Sequence, residues 1–186
     1  MLDAGPQAGY NRDMADMFTP EYRSWIMSRI RSRNTRPELM VRMILHRLGY
    51  RFSLRRKDLP GTPDIVLPLH RAVVFVHGCF WHRHPRCKVA TKPTTRPAFW
   101  RAKFTRNVGR DKANLRAVRR RGWRAMVVWE CQVLKDPMKV ARRLDTFLRR
   151  TADERPRPFV YDLPTRSQML KAAEKKADYN MKPRRG

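Results

Sequence analysis

Apolar residues recur along this chain with two different periods, and the changes of period mark the elements. Trp25, Ile26 and Ile30 fall toward one side of a helix predicted over residues 22–33. Thr35-Arg36-Pro37-Glu38 then has the capping-box pattern, with Pro37 in the first turn, where its missing N–H does no harm. The helix it starts carries Leu39, Met40, Met43, Ile44 and Leu48, and Gly49 ends it. Beyond Gly49 the period shortens. Residues 51–54 read as a short strand, and 58–63 as a turn with Pro-Gly at 60–61. Asp64-Ile-Val-Leu67 and Ala72-Val-Val-Phe-Val76 are short apolar runs rich in β-branched residues, which predicts buried strands. Residues 78–96 show no period. A helix is predicted from about Ala98 to Arg121, a strand from Trp123 to Trp129, and a helix from Asp136 to Arg150 that buries Val140, Leu144, Phe147 and Leu148. The order α, α, three strands, α, β, α predicts an α/β fold, a mixed central sheet flanked by helices.

Both ends lose this pattern. Residues 1–20 read as a flexible N-terminal arm. Residues 151–186 carry prolines at 156, 158, 164 and 183, end in Lys-Pro-Arg-Arg-Gly, and read as a basic, disordered C-terminal tail. One folded domain over 21–150 remains, and no internal repeat is present.

Charge narrows the partners. The 186 residues hold 43 Lys+Arg against 16 Asp+Glu, a formal net charge of +27. Within 21–150 stand 33 basic and 8 acidic side chains, so +25 of that charge lies in the predicted domain. Such a domain attracts a polyanion, and phosphate contacts dominate its affinity. Charge alone favours a ribosomal or other nucleic-acid-coating protein over an enzyme. The 41% hydrophobic content excludes a disordered basic tail as the whole chain. No apolar run reaches the length of a membrane span, residues 1–16 have no signal-peptide core, and no helix has a lipid-seeking face.

Two clusters carry candidate chemistry. Cys79, His84 and Cys87 lie within nine residues, and Cys131 follows just past the predicted Trp123–Trp129 strand. Four N/S ligands suit a structural zinc site, which would use every cysteine and hold a loop that has little apolar content. Three thiols as metal ligands also fit a reducing cytosol better than a disulfide framework. His82 competes with His84 for that site on spacing alone. The second cluster begins at Asp64, after Gly61-Thr62-Pro63 at a strand entrance. A carboxylate repels DNA, so one on a DNA-facing edge needs a reason, and a Mg²⁺ ligand is one; a turn cap is the other. His77 ends the next strand as an active-site group or a core histidine, and His82 is a candidate general base.

Pro63-Asp64 followed by Phe75-Val76-His77 resembles the PD-(D/E)xK nuclease pattern, with Phe75 in place of the second acid and His77 in place of the lysine. The block Phe75-Val-His-Gly-Cys-Phe-Trp-His82 is more specific. With Met27-Ser-Arg-Ile-Arg-Ser-Arg-Asn34, Leu59-Pro-Gly-Thr-Pro-Asp-Ile65, Phe99-Trp100, Asn107 with Asp111, and Val127-Val-Trp-Glu-Cys131, it resembles the very-short-patch-repair DNA mismatch endonucleases over roughly residues 20–150. That resemblance implies a restriction-endonuclease-like fold with a structural zinc loop. It implies Mg²⁺ held by Asp64 and the main-chain carbonyl of Val76, His82 as general base, His77 acting on the scissile phosphate, and Glu38 and Asp111 as orienting acids. It implies Zn²⁺ on Cys79, His84, Cys87 and Cys131; the two-residue gap from His84 to Cys87 departs from the commoner spacing. It places Phe80, Trp81 and Trp100 as an aromatic wedge into the base stack, with Met27 entering from the minor groove and Asn107 as a further DNA contact. The implied reaction is nicking of duplex DNA 5′ to the T of a T:G mismatch, the product of 5-methylcytosine deamination. The implied setting is a monomer in the cytoplasm, associated with the nucleoid, alongside mismatch-repair proteins or a cytosine-5 methyltransferase system. The rival readings are a same-fold nuclease with another mismatch or defence-system specificity, and a zinc-containing DNA-binding module that cuts nothing.

Overall fold

The structure is a computed structural model that describes residues 33–149 and 163–179, together with Thr19. Residues 22–32 of the predicted 22–33 helix, Met27 among them, nearly all of the 1–20 arm, and residues 151–162 and 180–186 of the predicted tail lie outside the described residues.

Helix α1 (Arg36–Arg47) starts where the capping pattern places it. The Glu38 amide donates to Thr35 Oγ1 at 3.5 Å. The Glu38 carboxylate turns back, accepting from the Thr35 hydroxyl at 2.9 Å and the Asn34 amide at 3.1 Å. Those bonds satisfy groups that a helix start leaves without intrahelical partners.

Strand β1 (Ile65–Leu67) pairs antiparallel with β2 (Ala72–His77), and β2 pairs parallel with β3 (Arg124–Trp129), giving the order β1-β2-β3. A parallel pair needs a crossover, and the 24-residue helix α2 (Pro97–Arg120) lies within it. Strand alternation then sorts the side chains. Ile65, Leu67, Ala72, Val74 and Val128 join a core with α1, α4 (Pro137–Leu148) and α5 (Arg166–Tyr179). Val66, Val73 and Phe75 face the other way and pack with Leu59 and Val118, the latter from α2. His77 and Trp129 share the parity of Phe75 and Val127, so both belong to the α2 side where the parallel strands end.

The structure corrects two expectations and adds an element. Residues 51–54 form no strand, only a single bridge between Ser53 and Val66, because Arg55 turns into a left-handed conformation (φ 51°). The basic, patternless tail expected over 151–186 is wrong for residues 166–179, which form α5. Met169 and Ala173 of α5 are fully buried against the α1 side of the core, and Arg36 pairs with Glu174. Two buried residues one turn apart, among lysines, are too few to produce a visible period. A further short helix, α3 (Glu130–Lys135), follows β3 directly.

Candidate active site and metal centre

A cleft of about 1560 Å³ opens over the ends of β2 and β3 and brings together Glu38, Asp64, Val76, His77, His82 and Asp111. Each arrives from a different element. Glu38 comes from the α1 cap, Asp64 from the entrance of β1, and Asp111 from the middle of α2. The loop before Asp64 is held by a tight approach: Gly61 (φ +74°) lies so close to Asn114 that an added Cβ would stand 2.6 Å from its Nδ2. Asp64 Oδ2 accepts the Val76 amide at 2.7 Å, which ties β1's entrance to β2. Burial raises the Asp64 pKa to about 6, the Val76 bond opposes this, and the nearby Glu38 carboxylate adds to it. A half-buried carboxylate at the edge of a cleft is a competent hard-cation ligand.

The two histidines are one unit. Their rings stack at 4.0 Å between centroids and 12° between planes. His82 Nδ1 lies 2.5 Å from Asp111 Oδ2. A proton on Nδ1 in that bond leaves Nε2 as the acceptor nitrogen. His77 is buried, and burial followed by the adjacent His82 lowers its pKa to about 4, so it stays neutral at pH 7. His77, His82 and Asp111 also offer ligand atoms within 4.8 Å of one another. Glu38 is more occupied than an orienting acid needs to be: besides its cap bonds, Oε2 accepts from Arg42 at 2.8 Å.

The second cluster is closed. Cys79, His84, Cys87 and Cys131 place their donor atoms within 4.8 Å of one another, so spacing's open choice between His82 and His84 falls to His84. His84 Nδ1 stands 3.3 Å from Cys131 Sγ and 3.7 Å from Cys79 Sγ. A tetrahedral ion with M–S bonds of about 2.3 Å and M–N bonds of about 2.0–2.1 Å requires S···N edges of roughly 3.6 Å, so the donor set fits. Burial also pushes the Cys79 thiol pKa up, and a cation among these sulfurs would reverse that.

The aromatic group lines the cleft. Phe80 meets Trp81 at 5.0 Å, Trp100 at 5.5 Å and Phe104 at 5.2 Å, each in an edge-on arrangement. Asn107 Nδ2 donates to the Trp81 carbonyl at 3.1 Å and so fixes the wedge's backbone. Lys103 Nζ sits 5.4 Å from the Trp81 ring and 5.6 Å from the Trp100 ring. Phe80, Trp81 and Trp100 all line the cleft and are only partly buried.

Three residues went unassigned from the sequence. Phe104 backs the wedge one turn along α2 from Trp100, a spacing that was readable. Trp129 stacks on His84 at 4.3 Å and meets His77 edge-on at 5.4 Å. Glu130 Oε2 accepts the Cys79 amide at 3.1 Å and lines the cleft. The rarity of acids in so basic a domain was the signal for it.

Comparison with known proteins agrees with this geometry. The family model described as DNA mismatch endonuclease Vsr matches residues 15–88. The chain is 51% identical over 120 residues to "Type II nicking enzyme V.XorIIP" of Xanthomonas oryzae pv. oryzae, covering 64% of this chain and 88% of that protein. It is 39% identical over 140 residues to "Type II nicking enzyme V.NmeAIP" of Neisseria meningitidis serogroup A, covering 75% and 99%. It is 40% identical over 118 residues to "DNA mismatch endonuclease Vsr" of Escherichia coli, covering 63% and 75%. No helix among the described residues is long and apolar enough to cross a membrane. The chain belongs to the DNA mismatch endonuclease Vsr family and is a DNA endonuclease.

Proposed function

We propose that the cleft hydrolyses one phosphodiester of duplex DNA, 5′ to the T of a T:G mismatch, with Mg²⁺ as the catalytic ion. The observation that carries this reading is the joining, in one cleft, of a half-buried carboxylate, a stacked histidine pair braced by an acid, and a partly exposed aromatic wedge. Asp64 and the Val76 carbonyl would hold Mg²⁺, which when bound supplies charge neutralisation for the scissile phosphate. His82 Nε2 takes the proton of the attacking water, while Asp111 holds the ring by Nδ1 and stabilises it once protonated. The water oxygen bonds to phosphorus as the P–O3′ bond breaks, leaving a 5′ phosphate, and the departing 3′ oxygen takes a proton from solvent water to become a 3′ hydroxyl. His77, neutral and buried, donates no charge of its own; it fixes the plane of His82 and presents its ring toward the phosphate. Zn²⁺ is the ion proposed for Cys79, His84, Cys87 and Cys131. Four occupied positions leave no site for substrate, so that role is structural.

Selection follows from unstacking. Phe80, Trp81 and Trp100 inserted at a base step separate it at the expense of a few kcal/mol, and a mismatched step opens more easily. A cytosine-5 methyltransferase in the same cytoplasm would generate the substrate's precursor. The test is a panel of end-labelled duplexes, matched and with each mismatch, incubated with Mg²⁺. T:G duplexes should be nicked on the T strand far faster than the others. Equal nicking of all duplexes would refute mismatch selection. Fast nicking of another mismatch would identify the defence-type specificity that several relatives' names as Type II nicking enzymes leave open.

A further inference from the structure

We propose that this protein carries a second phosphate-binding surface at the end of the sheet opposite the active site, and that it grips the duplex on one side of the cut, close to one helical turn from the wedge. The surface forms where β2 and β3 begin and α2 ends. Arg71, Arg119, Arg120, Arg121 and Arg124 are all exposed there. Arg71, Arg121 and Arg124 are tied to one another, and Arg119 and Arg120 form the last turn of α2 just before Arg121. The Arg124 amide donates to the Arg71 carbonyl at 2.7 Å, and Arg71 Nη2 approaches the Arg121 carbonyl at 3.4 Å. Arg121 and Arg124 reach other backbone carbonyls, those of Asp58 and Phe147, at 2.6 and 2.7 Å. The carboxylate among them, Asp58, is already held by Arg56 at 3.0 and 2.5 Å. Carbonyl partners orient the guanidinium groups but leave their charge uncancelled.

The plainer reading is that Arg119 and Arg120 stabilise the negative end of the α2 dipole. One cation would serve that purpose. Five exposed arginines around it repel one another, and such a charge density calls for a polyanion. The geometry says which one. β2 spans about 17 Å from this surface to His77 at a strand rise of about 3.3 Å per residue. α2 covers about 30 Å at 1.5 Å per residue between the wedge at Trp100 and Arg120. Its exposed flank beside the cleft carries Arg106 and Arg110 before reaching Arg120. That length is a little under one turn of B-DNA, about 34 Å, so a duplex lying along α2 meets the wedge at one end and the arginine cluster at the other. A duplex crossing α2 does not.

The inference rests on the family's action on DNA, and not on T:G selection, so the test uses matched and T:G duplexes in parallel without Mg²⁺. Binding is measured against salt concentration for duplexes extended stepwise on one side of the wedge site. For the native protein, affinity and salt slope should rise together once either flank, but not both, passes about one turn. The Arg119→Ser/Arg120→Ser variant should lose that rise, its slope on long duplexes becoming shallower by about 1.8, or about 0.9 per lost phosphate contact. Arg119→Lys/Arg120→Lys should keep it, because the charge is retained. A native affinity that ignores flank length would overturn the proposal even if the serine variant failed to fold. So would an unchanged slope in the serine variant, or an equal loss on short and long duplexes, which would move these arginines to the cleft. If T:G selection fails but the flank effect stands, this surface survives the loss of the functional reading.

Discussion

Two histidine-bearing clusters stand on either side of Trp129, and they are built for opposite purposes. On one side His84 joins three cysteines with every donor turned inward, at separations that match the edges of a tetrahedron. On the other, His77 and His82 lie open to a cleft, with oxygen donors from Asp64 and Asp111. Trp129 stacks flat on His84 and stands edge-on to His77, so the two are packed through a single indole. Soft ligands in a closed shell make an anchor; hard ligands and an unsaturated nitrogen in an open one make a reaction site. The same residue type serves both because its neighbours decide what it does.

That contrast predicts unequal failures. Removing an anchor ligand should be the most severe. Cys131→Ser should release the bound zinc and lower folding stability by on the order of 5 kcal/mol or more, read by metal analysis and thermal melting. A variant that keeps its melting temperature without zinc would show that the cluster does not hold the loop. Changes on the open side should leave the fold intact. His82→Ala should slow single-turnover nicking by roughly 10²- to 10⁴-fold, and Asp111→Asn by less, because it removes the brace and not the base. Melting temperatures close to that of the native protein would confirm that the loss is chemical.

The pH dependence of Asp64 comes next in size. Its pKa in the fold, about 6, lies above the ordinary carboxylate value of 3.8. The protonated form is therefore the one that the metal-free fold favours. This contribution is fully present below about pH 4 and lost as pH rises through 6, a change on the order of 3 kcal/mol. The difference in melting temperature between the metal-free native protein and Asp64→Asn should follow that curve, and Mg²⁺ should abolish it above pH 6. Nicking should decline as pH falls through 6, when a proton takes the metal's place. A flat difference curve would mean that the carboxylate is better solvated than its burial implies. The smallest effect should come from the scaffold. Gly61→Ala forces a side chain into a left-handed position against Asn114, and should cost about 1–2 kcal/mol in stability with a modest loss of nicking. No loss would show that the 59–63 loop yields without moving Asp64.

Much of this contrast was legible before any coordinates. The capping pattern at Thr35–Glu38, the apolar runs ending at Leu67 and Val76, and the close spacing of Cys79, Cys87 and the histidines between them all rest on local rules. Residue parity along β2 also accounts for Phe75: in place of an acid it faces α2 and packs on Val118. Other features were hidden because they depend on distant partners. Nothing near Asn107 indicates that its amide supports the Trp81 carbonyl, 26 residues away. Helix α5 is held by Met169 and Ala173, which have meaning only against a core formed by α1. Trp129 looked like the end of a strand, and only the parallel register that pairs it with His77 shows it lying between the two clusters.

The most direct measurement takes nicking and binding from the same samples of the native protein and Asp64→Asn, on a T:G duplex with Mg²⁺. The substitution preserves shape and removes the charge. Asp64→Asn should bind the duplex as tightly as the native protein or tighter, because a repulsive carboxylate is gone, while nicking falls by about a thousandfold or more. Nicking that persists in Asp64→Asn, or binding that fails along with it, would contradict a metal-holding carboxylate at the centre of this cleft.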